Sequence, residues 1–350
     1  MHVTHNYTSV LPIPRCGIAV LILIAMWPGT AFNSAAVQAQ SRTDSTHVPT
    51  MGALVQGTAH AESHPTAYTD GFRIDRARVS ISGTPVAGLS YEVEGDFVDD
   101  LILTDAYADV TLSQRVMLRA GQFRPPFSYG QLVSSAATPF VMRARGVRAI
   151  GVSRRPGIAV TYQPATRWTV QGGMFNSTRL LAQSERPEPP EQAPASEQLM
   201  YVGRLAWRPV WDAGRAAFGV GVAYEPQGAA TGARDSRYSG NLHVEHGALA
   251  FTAEALTRTA APAGRVKTGL QVTGAYAINA PRTVRVRLDW VDYAGPTANP
   301  LDSDTAPTQL GIGYTYQPTS YLRVETDVLA PVANGTLQPV VLLTQLQFNL

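Results

Sequence analysis

Arginine is the residue type in this chain with the most chemistry to offer. Of 28 basic residues only Lys267 is a lysine, which leaves 27 arginines. Many recur at spacings of two or four: Arg76 and Arg78, Arg115 and Arg119, Arg143 and Arg145, Arg204 and Arg208, Arg285 and Arg287. On a β-strand that spacing puts both side chains on one face. A guanidinium is charged at every physiological pH and grips phosphate or carboxylate through a planar fork. A column of them lining water would lower the barrier to anions. The carboxylates follow the same spacing, at Glu92, Glu94 and Asp96 and again at Asp105 and Asp109. On neighbouring strands they would meet Arg76 and Arg78 as cross-strand ion pairs. Two readings stay open: a column that attracts anions, or a basic wall facing an acidic one, with only a weak preference.

Catalytic and metal chemistry fit poorly. Ser239, Asn241, His243 and Glu245 fall on one strand face. A nucleophile and its base must be in hydrogen-bond reach, yet residues two apart on a strand are about 6.6 Å apart, and Ser239 is four from His243. His60, Glu62 and His64 lack a fourth ligand. No glycine-rich phosphate loop ending in Lys-Ser/Thr is present. The lone Cys16 excludes a disulfide framework and cysteine-based zinc sites, and a net charge of +2 argues against a polybasic nucleic-acid binder. The expectation is no enzyme, no cofactor, no metal and no nucleic-acid partner.

The elements that must position the arginines are strands. Val284, Val286, Leu288 and Trp290 alternate with Thr283, Arg285, Arg287 and Asp289, and Leu310, Ile312, Tyr314 and Tyr316 alternate with glycines and Thr315. Sixteen such segments run from 50–57 to 338–350, among them 71–82, 88–98, 115–124, 282–293 and 320–329. Period-2 alternation fits a soluble sandwich and a membrane barrel alike. Three features favour the barrel. Residues 1–39 read as a signal peptide, with Arg15, an apolar run over 17–27, no acidic residue, and Val37-Gln38-Ala39 before the cut. Trp168, Trp207, Trp290, Tyr314 and Tyr316 lie near strand ends, as an interfacial girdle requires. The last strand ends Gln347-Phe348-Asn349-Leu350, similar to the terminal signal of bacterial outer-membrane barrels. The fold expected for 40–350 is all-β: a transmembrane antiparallel β-barrel of about 16 strands, in the bacterial outer membrane, with lipid and lipopolysaccharide around it.

Arginine on a lipid face costs about 2–4 kcal/mol at the midplane. Arg76, Arg78, Arg115, Arg119, Arg204, Arg208, Arg285 and Arg287 are therefore assigned to the lumen, and Arg323 follows. Phe72 and Ile74 fall on the parity opposite to Ala77, Val79 and Ile81, which predicts a bulge near Asp75. Short proline-marked turns at 164–166, 209–212, 280–282 and 318–320 alternate with longer connections at 58–70, 125–155, 178–197, 226–236 and 294–307. Within the second of these, 128–155 is too long for a turn. Its Arg143, Arg145 and Arg148 have no acidic residue between 111 and 184, so they are expected to be the least neutralised basic cluster. The segment is the candidate constriction; the competing reading is an outer loop that binds lipopolysaccharide phosphates. The Pro/Glu-rich run Ser184–Glu191 reads as an outer loop.

Several motifs then point to a family. Gly71-Phe72-Arg73-Ile74-Asp75-Arg76-Ala77-Arg78 resembles the "GF-x-I-R-R-A-R" opening of the phosphate-selective porin O and P family. Asp105-Ala106-Tyr107 fits its "DAY" strand, and Gly121-Gln122-Phe123-Arg124-Pro125-Pro126-Phe127 its "GQFKPPF" signature. Gly173-Met174-Phe175-Asn176 and Gly203-Arg204-Leu205-Ala206-Trp207-Arg208-Pro209 are similar to later landmarks. The resemblance implies a sixteen-stranded outer-membrane barrel, a homotrimer, admission of small anions, and an inward-folded 128–155. It adds Arg73 and Arg124 to the pore-lining candidates. Asp75 stands where the family has arginine, and Arg124 where it has the signature lysine. The expected function is a passive, weakly selective porin for small anions. The alternatives are a nonspecific or sugar/organic-acid porin, or a non-conducting structural or adhesin barrel.

Overall fold

The computed structural model describes residues 48–63, 71–98, 102–177, 199–212, 214–226, 234–261, 263–295 and 306–350. The leader expected at 1–39 with Cys16, His64 and the run Ser184–Glu191 lie outside the described residues.

The strands are β1 (Thr50–Glu62), β2 (Gly71–Val86), β3 (Leu89–Asp96), β4 (Ile102–Ser113), β5 (Val116–Phe123), β6 (Arg155–Tyr162), β7 (Trp168–Asn176), β8 (Leu199–Trp207) and β9 (Val210–Trp211). They continue as β10 (Gly214–Glu225), β11 (Asp235–His246), β12 (Leu249–Arg258), β13 (Val266–Asn279), β14 (Arg282–Tyr293), β15 (Thr308–Tyr316), β16 (Leu322–Ala333), β17 (Thr336–Leu337) and β18 (Val341–Asn349). Two are two-residue flaps, β9 on β10 and β17 on β16. The other sixteen form one antiparallel sheet that closes on itself, because β1 pairs with both β2 and β18. No helix among the described residues is long and apolar enough to cross a membrane. The crossing is left to strands, and a closed ring is the sheet form that leaves no edge unpaired in lipid.

The barrel is inside-out relative to a soluble sandwich. On β14 the outward Val286, Leu288 and Trp290 are exposed, while Arg285, Arg287 and Asp289 are buried. On β15 Ile312 is 61% exposed, and on β16 Arg323, Glu325 and Asp327 are all buried. Exposed apolar residues form a band that suits lipid, and the polar face lines the interior. At the short-turn end Trp168 stacks on Trp207 at 5.9 Å, and Trp207 on Phe218 at 5.3 Å, as part of an aromatic rim.

Strand boundaries expected from alternation fall within a few residues of those observed, and 282–293 coincides with β14. The bulge expected at Asp75 is present, with the β1–β2 register stepping from Gln56↔Arg76 to Gly57↔Ile74. Three expectations differ from the structure. Strand β1 runs past 57 to Glu62, into the connection expected at 58–70, the turn at 209–212 contains β9, and β16 runs past 329 to Ala333 before turning back into β17. Asn334 and Gly335 both have positive φ there, the two-residue turn geometry that prolongs a hairpin.

The connection between β5 and β6 lies inside the barrel. It carries α1 (Tyr129–Leu132), a 3-10 turn at Ser135–Ala137 and α2 (Arg145–Ile150). Its path follows from its bonds to inward wall residues. The Phe127 carbonyl accepts from Arg204 and Ser239, each at 2.9 Å, on β8 and β11. The chain then crosses to Ser135, which accepts from Arg78 at 3.1 Å and from Gln56 at 3.3 Å, on β2 and β1. It returns along β16, where Arg323 donates to Ala136 and Thr138 at 2.9 and 2.7 Å. It passes β14, where Arg287 donates to the Met142 carbonyl at 2.7 Å.

Three wall carboxylates clasp backbone N–H groups of this segment. Glu254 accepts from Gly130 at 2.9 Å, Asp327 from Val141 at 2.7 Å, and Asp289 from Arg145 at 2.8 Å. The apolar core sits here too, with Phe127, Val147 and Ile150 packed against Phe175, Met200 and Leu256 of the wall. Helix α2 approaches β13 so closely that a Cβ on Gly146 would lie 2.7 Å from the Gly269 Cα.

Two outcomes are expected. Ile312→Arg places a charge mid-strand on the outer face, at a cost of about 2–4 kcal/mol, and should deplete the heat-modifiable folded form on gels; normal assembly would count against lipid on that face. Asp327→Ala leaves the Val141 N–H without its acceptor, at about 1–3 kcal/mol. Barrel assembly should persist while protease nicking within 124–154 rises several-fold.

Candidate functional site

The inward guanidinia divide by what they hold. The first set is neutralised by wall carboxylates, across strands except for Arg73, whose partner Asp75 lies on the same strand. Arg78 bonds Asp96 at 2.8 Å and Glu94 at 3.3 Å, in the register that sets Arg78 opposite Asp96. Arg119 makes a two-pronged contact with Asp109, both at 2.7 Å, with its guanidinium over the Tyr107 ring at 3.7 Å. Arg73 pairs with Asp75 at 2.5 Å within the bulge, and Arg285 with Glu325 at 2.6 Å. Here the cross-strand pairing that alternation allowed is what the geometry contains.

The second set holds loop backbone. Arg204 is buried between the Phe127 carbonyl and Asn241, at 2.9 Å each. Arg287 donates to the Met142 carbonyl and lies 4.3 Å from the centre of the Phe140 ring. Arg124 donates to the carbonyls of Gln131 and Val133, at 2.5 and 2.9 Å. Arg143 donates to Gly130 and, at 2.7 Å, to Val133. For Arg124 and Arg143, these bonds tie the start and the later half of the segment to α1 and the residue after it.

The expected cluster of Arg143, Arg145 and Arg148 does not exist as a unit. Arg145 is 5% exposed, lies 3.6 Å from Asp289, and donates to the carbonyls of Ala306, Asp289 and Pro307. It is an anchor. The reading failed because Asp289, far along the chain on β14, comes up beneath α2. Arg148 is exposed on α2, with no partner among the described residues. Arg208 also departs from expectation. It follows the end of β8, is exposed, and donates to Thr169 at 3.1 Å, so it lies at the short-turn rim.

What remains is a group at the β2–β5 side. Arg76 donates to the Gln56 amide at 2.6 Å and makes no ion pair; only Arg78 of that couple is paired. Arg124 and Arg143 have no ion pair either. Burial, with the fields of Arg154 and Arg143, pushes Arg124 down to about 9. Burial, with Arg76, Arg154 and Arg78, pushes Arg143 down to about 10. Burial is the larger cause and the neighbouring guanidinia the smaller one, and at neutral pH all five keep their charge. Arg154 was not foreseen: it sits 2.6 Å from Asp105 and 3.4 Å from Glu94. The only hint was its place in the Arg154-Arg155 doublet at the start of β6. Glu92, the remaining carboxylate here, accepts from Tyr107 at 2.6 Å.

Rival chemistry finds no support in these contacts. Ser239 donates to the Phe127 carbonyl and not to His243, whose partners are Thr252 at 2.8 Å and Glu245 at 2.9 Å. Among the described residues no group of three or more histidine, cysteine or acidic side chains is placed to hold a metal ion. Lys267 is exposed on β13 beside the connection to β12, away from the guanidinium group.

Solved porins share the architecture. A mutant of Rh. blastica porin is 15% identical with a TM-score of 0.61, covering 87% of this chain and 100% of that one. A high-pH structure of Pseudomonas putida OprB is 13% identical with a TM-score of 0.59, covering 86% and 94%. No curated protein matches the sequence. The family model for phosphate-selective porin O and P matches residues 57–277. That span takes in most of the chain, from β1 through the inward segment to β13, and the fold points to a bacterial outer membrane; the chain belongs to the phosphate-selective porin O and P family and is a passive porin channel.

Proposed function

We propose that this pore prefers small anions, with weak selection for phosphate among them. The observation that carries the reading is the group of Arg76, Arg124 and Arg143, three cations without a carboxylate partner beside a wall whose acids are already engaged. Unpaired ring charge sets ion preference, whereas paired charge contributes little field. Arg73, Arg78, Arg119 and Arg285 belong to the paired class and supply wall. Arg145, Arg204 and Arg287 supply loop anchorage. Arg148 and Arg208 are exposed, Arg208 at the short-turn rim.

Weak phosphate selection follows from residue type. A guanidinium forks onto an oxyanion but is a poorer compact point charge than an ammonium, and the one lysine lies elsewhere. Arg124, at the signature lysine position, already spends two donors on loop carbonyls. The family resemblance further implies a homotrimer in contact with lipopolysaccharide. A nonspecific or sugar/organic-acid pore remains the second reading, because the transverse field of Arg78, Arg154, Glu94 and Asp105 is overall close to neutral.

The test is the single-channel reversal potential across a KCl gradient. Wild type should favour chloride, with a value that is flat between pH 6 and 8. The double change Arg76→Gln with Arg143→Gln should move the potential towards cations more than Arg78→Gln with Arg119→Gln. Phosphate should inhibit the chloride current only at millimolar levels. Micromolar inhibition, or a larger shift from the paired set, would overturn this account. A barrel that never conducts would point to the structural alternative.

A further inference from the structure

Beneath the inward segment, on the short-turn side, lies a cavity of about 440 Å³ between the loop and β11–β14. That is within the size range of small-molecule sites. Its two halves differ in chemistry. The loop side offers Val133, Ala137, Pro139 and Met142, which are apolar and reach the surface. Two guanidinia border it, Arg143 and Arg287, and neither has a carboxylate bonded to it. Arg287 also keeps a buried Nε–H with no acceptor. The lone carboxylate in the lining, Glu245, is held by Arg215 at 2.6 Å and His243 at 2.9 Å, so its charge is locally answered. On the wall Ala250 and Ala275 stand directly opposite each other across β12 and β13, and their small side chains leave the space open.

We infer that this cavity is a subsite for an organic carboxylate with an apolar body, one that sets its charge between Arg143 and Arg287 and its carbon skeleton on the Pro139–Met142 face. A bare phosphate or chloride could use the two cations but would gain nothing from the apolar half, where its hydration shell finds no partner. A carboxylate bearing a ring uses both halves, since apolar burial adds to the charge-assisted hydrogen bonds. The inference rests on the anion-preferring reading above and deepens it from charge to substrate class.

The experiment uses benzoate as the probe on the detergent-purified full-length protein. Calorimetry should give a benzoate Kd at least tenfold below that of phosphate. Ala275→Trp fills the cavity from the wall, and should raise the benzoate Kd at least tenfold while the phosphate Kd changes by less than twofold. Should that variant fail to show heat-modifiable mobility, Ala250→Leu takes less space from the same side and is expected to act in the same direction. Equal Kd values for benzoate and phosphate, or benzoate binding untouched by an assembled cavity-filling variant, would overturn the inference. The reversal potential separates the two levels. An anion-preferring channel without benzoate preference removes the subsite alone; a cation-preferring one removes the reading beneath it.

Discussion

A backbone that crosses hydrocarbon must satisfy every N–H and C=O within the protein, because lipid supplies no partner. For strands the solution is a ring, and the pairing of β1 with both β2 and β18 supplies it. Everything else follows from that closure. A ring has an outside and an inside, and a period of two divides each strand between them. Charged side chains are then confined to the interior whatever their purpose. The arginines whose side chains fall on the inner face of the strands are therefore crowded together before any selection for solute acts on them.

Crowding explains why so few of these cations are free. A lumen packed with guanidinia would repel itself, and three kinds of acceptor relieve it. Wall carboxylates take Arg78, Arg119 and Arg285. Side-chain amides take Arg76 and, in part, Arg204. The carbonyls of the inward segment take Arg204, Arg287 and Arg323. The last kind is the informative one. A polar wall and a loop with little regular structure solve each other's problem, since the loop needs donors and the wall needs acceptors. The acids Glu254, Asp289 and Asp327 complete the exchange by taking the loop's N–H groups.

This exchange also marks the boundary of what the sequence could disclose. Alternation is local, so strands, face assignments and the bulge at Asp75 were legible, as was the pairing of Arg78 with the acids of β3. Neighbours in sequence are neighbours in the sheet. The inward segment breaks that rule. It meets β2, β8, β11, β12, β14, β16 and β18, and no periodicity reports which wall residue lies under which loop residue. Arg145 looked free because the nearest acid in sequence is distant, yet Asp289 is 3.6 Å away in space. Arg76 looked paired because Arg78 is, yet its partner is the Gln56 amide on the other side. The first misreading is a long-range contact made by the loop; the second is a contact between the neighbouring strands β2 and β1.

The near-absence of lysine has a physical reading in the same terms. A residue that must hold a carbonyl and also present charge to the lumen needs several donors spread in a plane. Arg124 and Arg143 each bond two loop carbonyls and still carry a positive charge. An ammonium has three donors at one point and a stronger hold on its water, so it would bridge two separated carbonyls less well. Replacing the signature lysine by Arg124 thus trades a compact anion ligand for a strut that remains cationic. The loop gains rigidity from the same side chain that gives the lumen its charge. Loop rigidity and lumen charge are for that reason coupled here: a change at Arg124 or Arg143 that removes charge also loosens the inward segment, and the two effects separate in variants such as Arg76→Gln, where the cation is lost and the loop keeps these bonds.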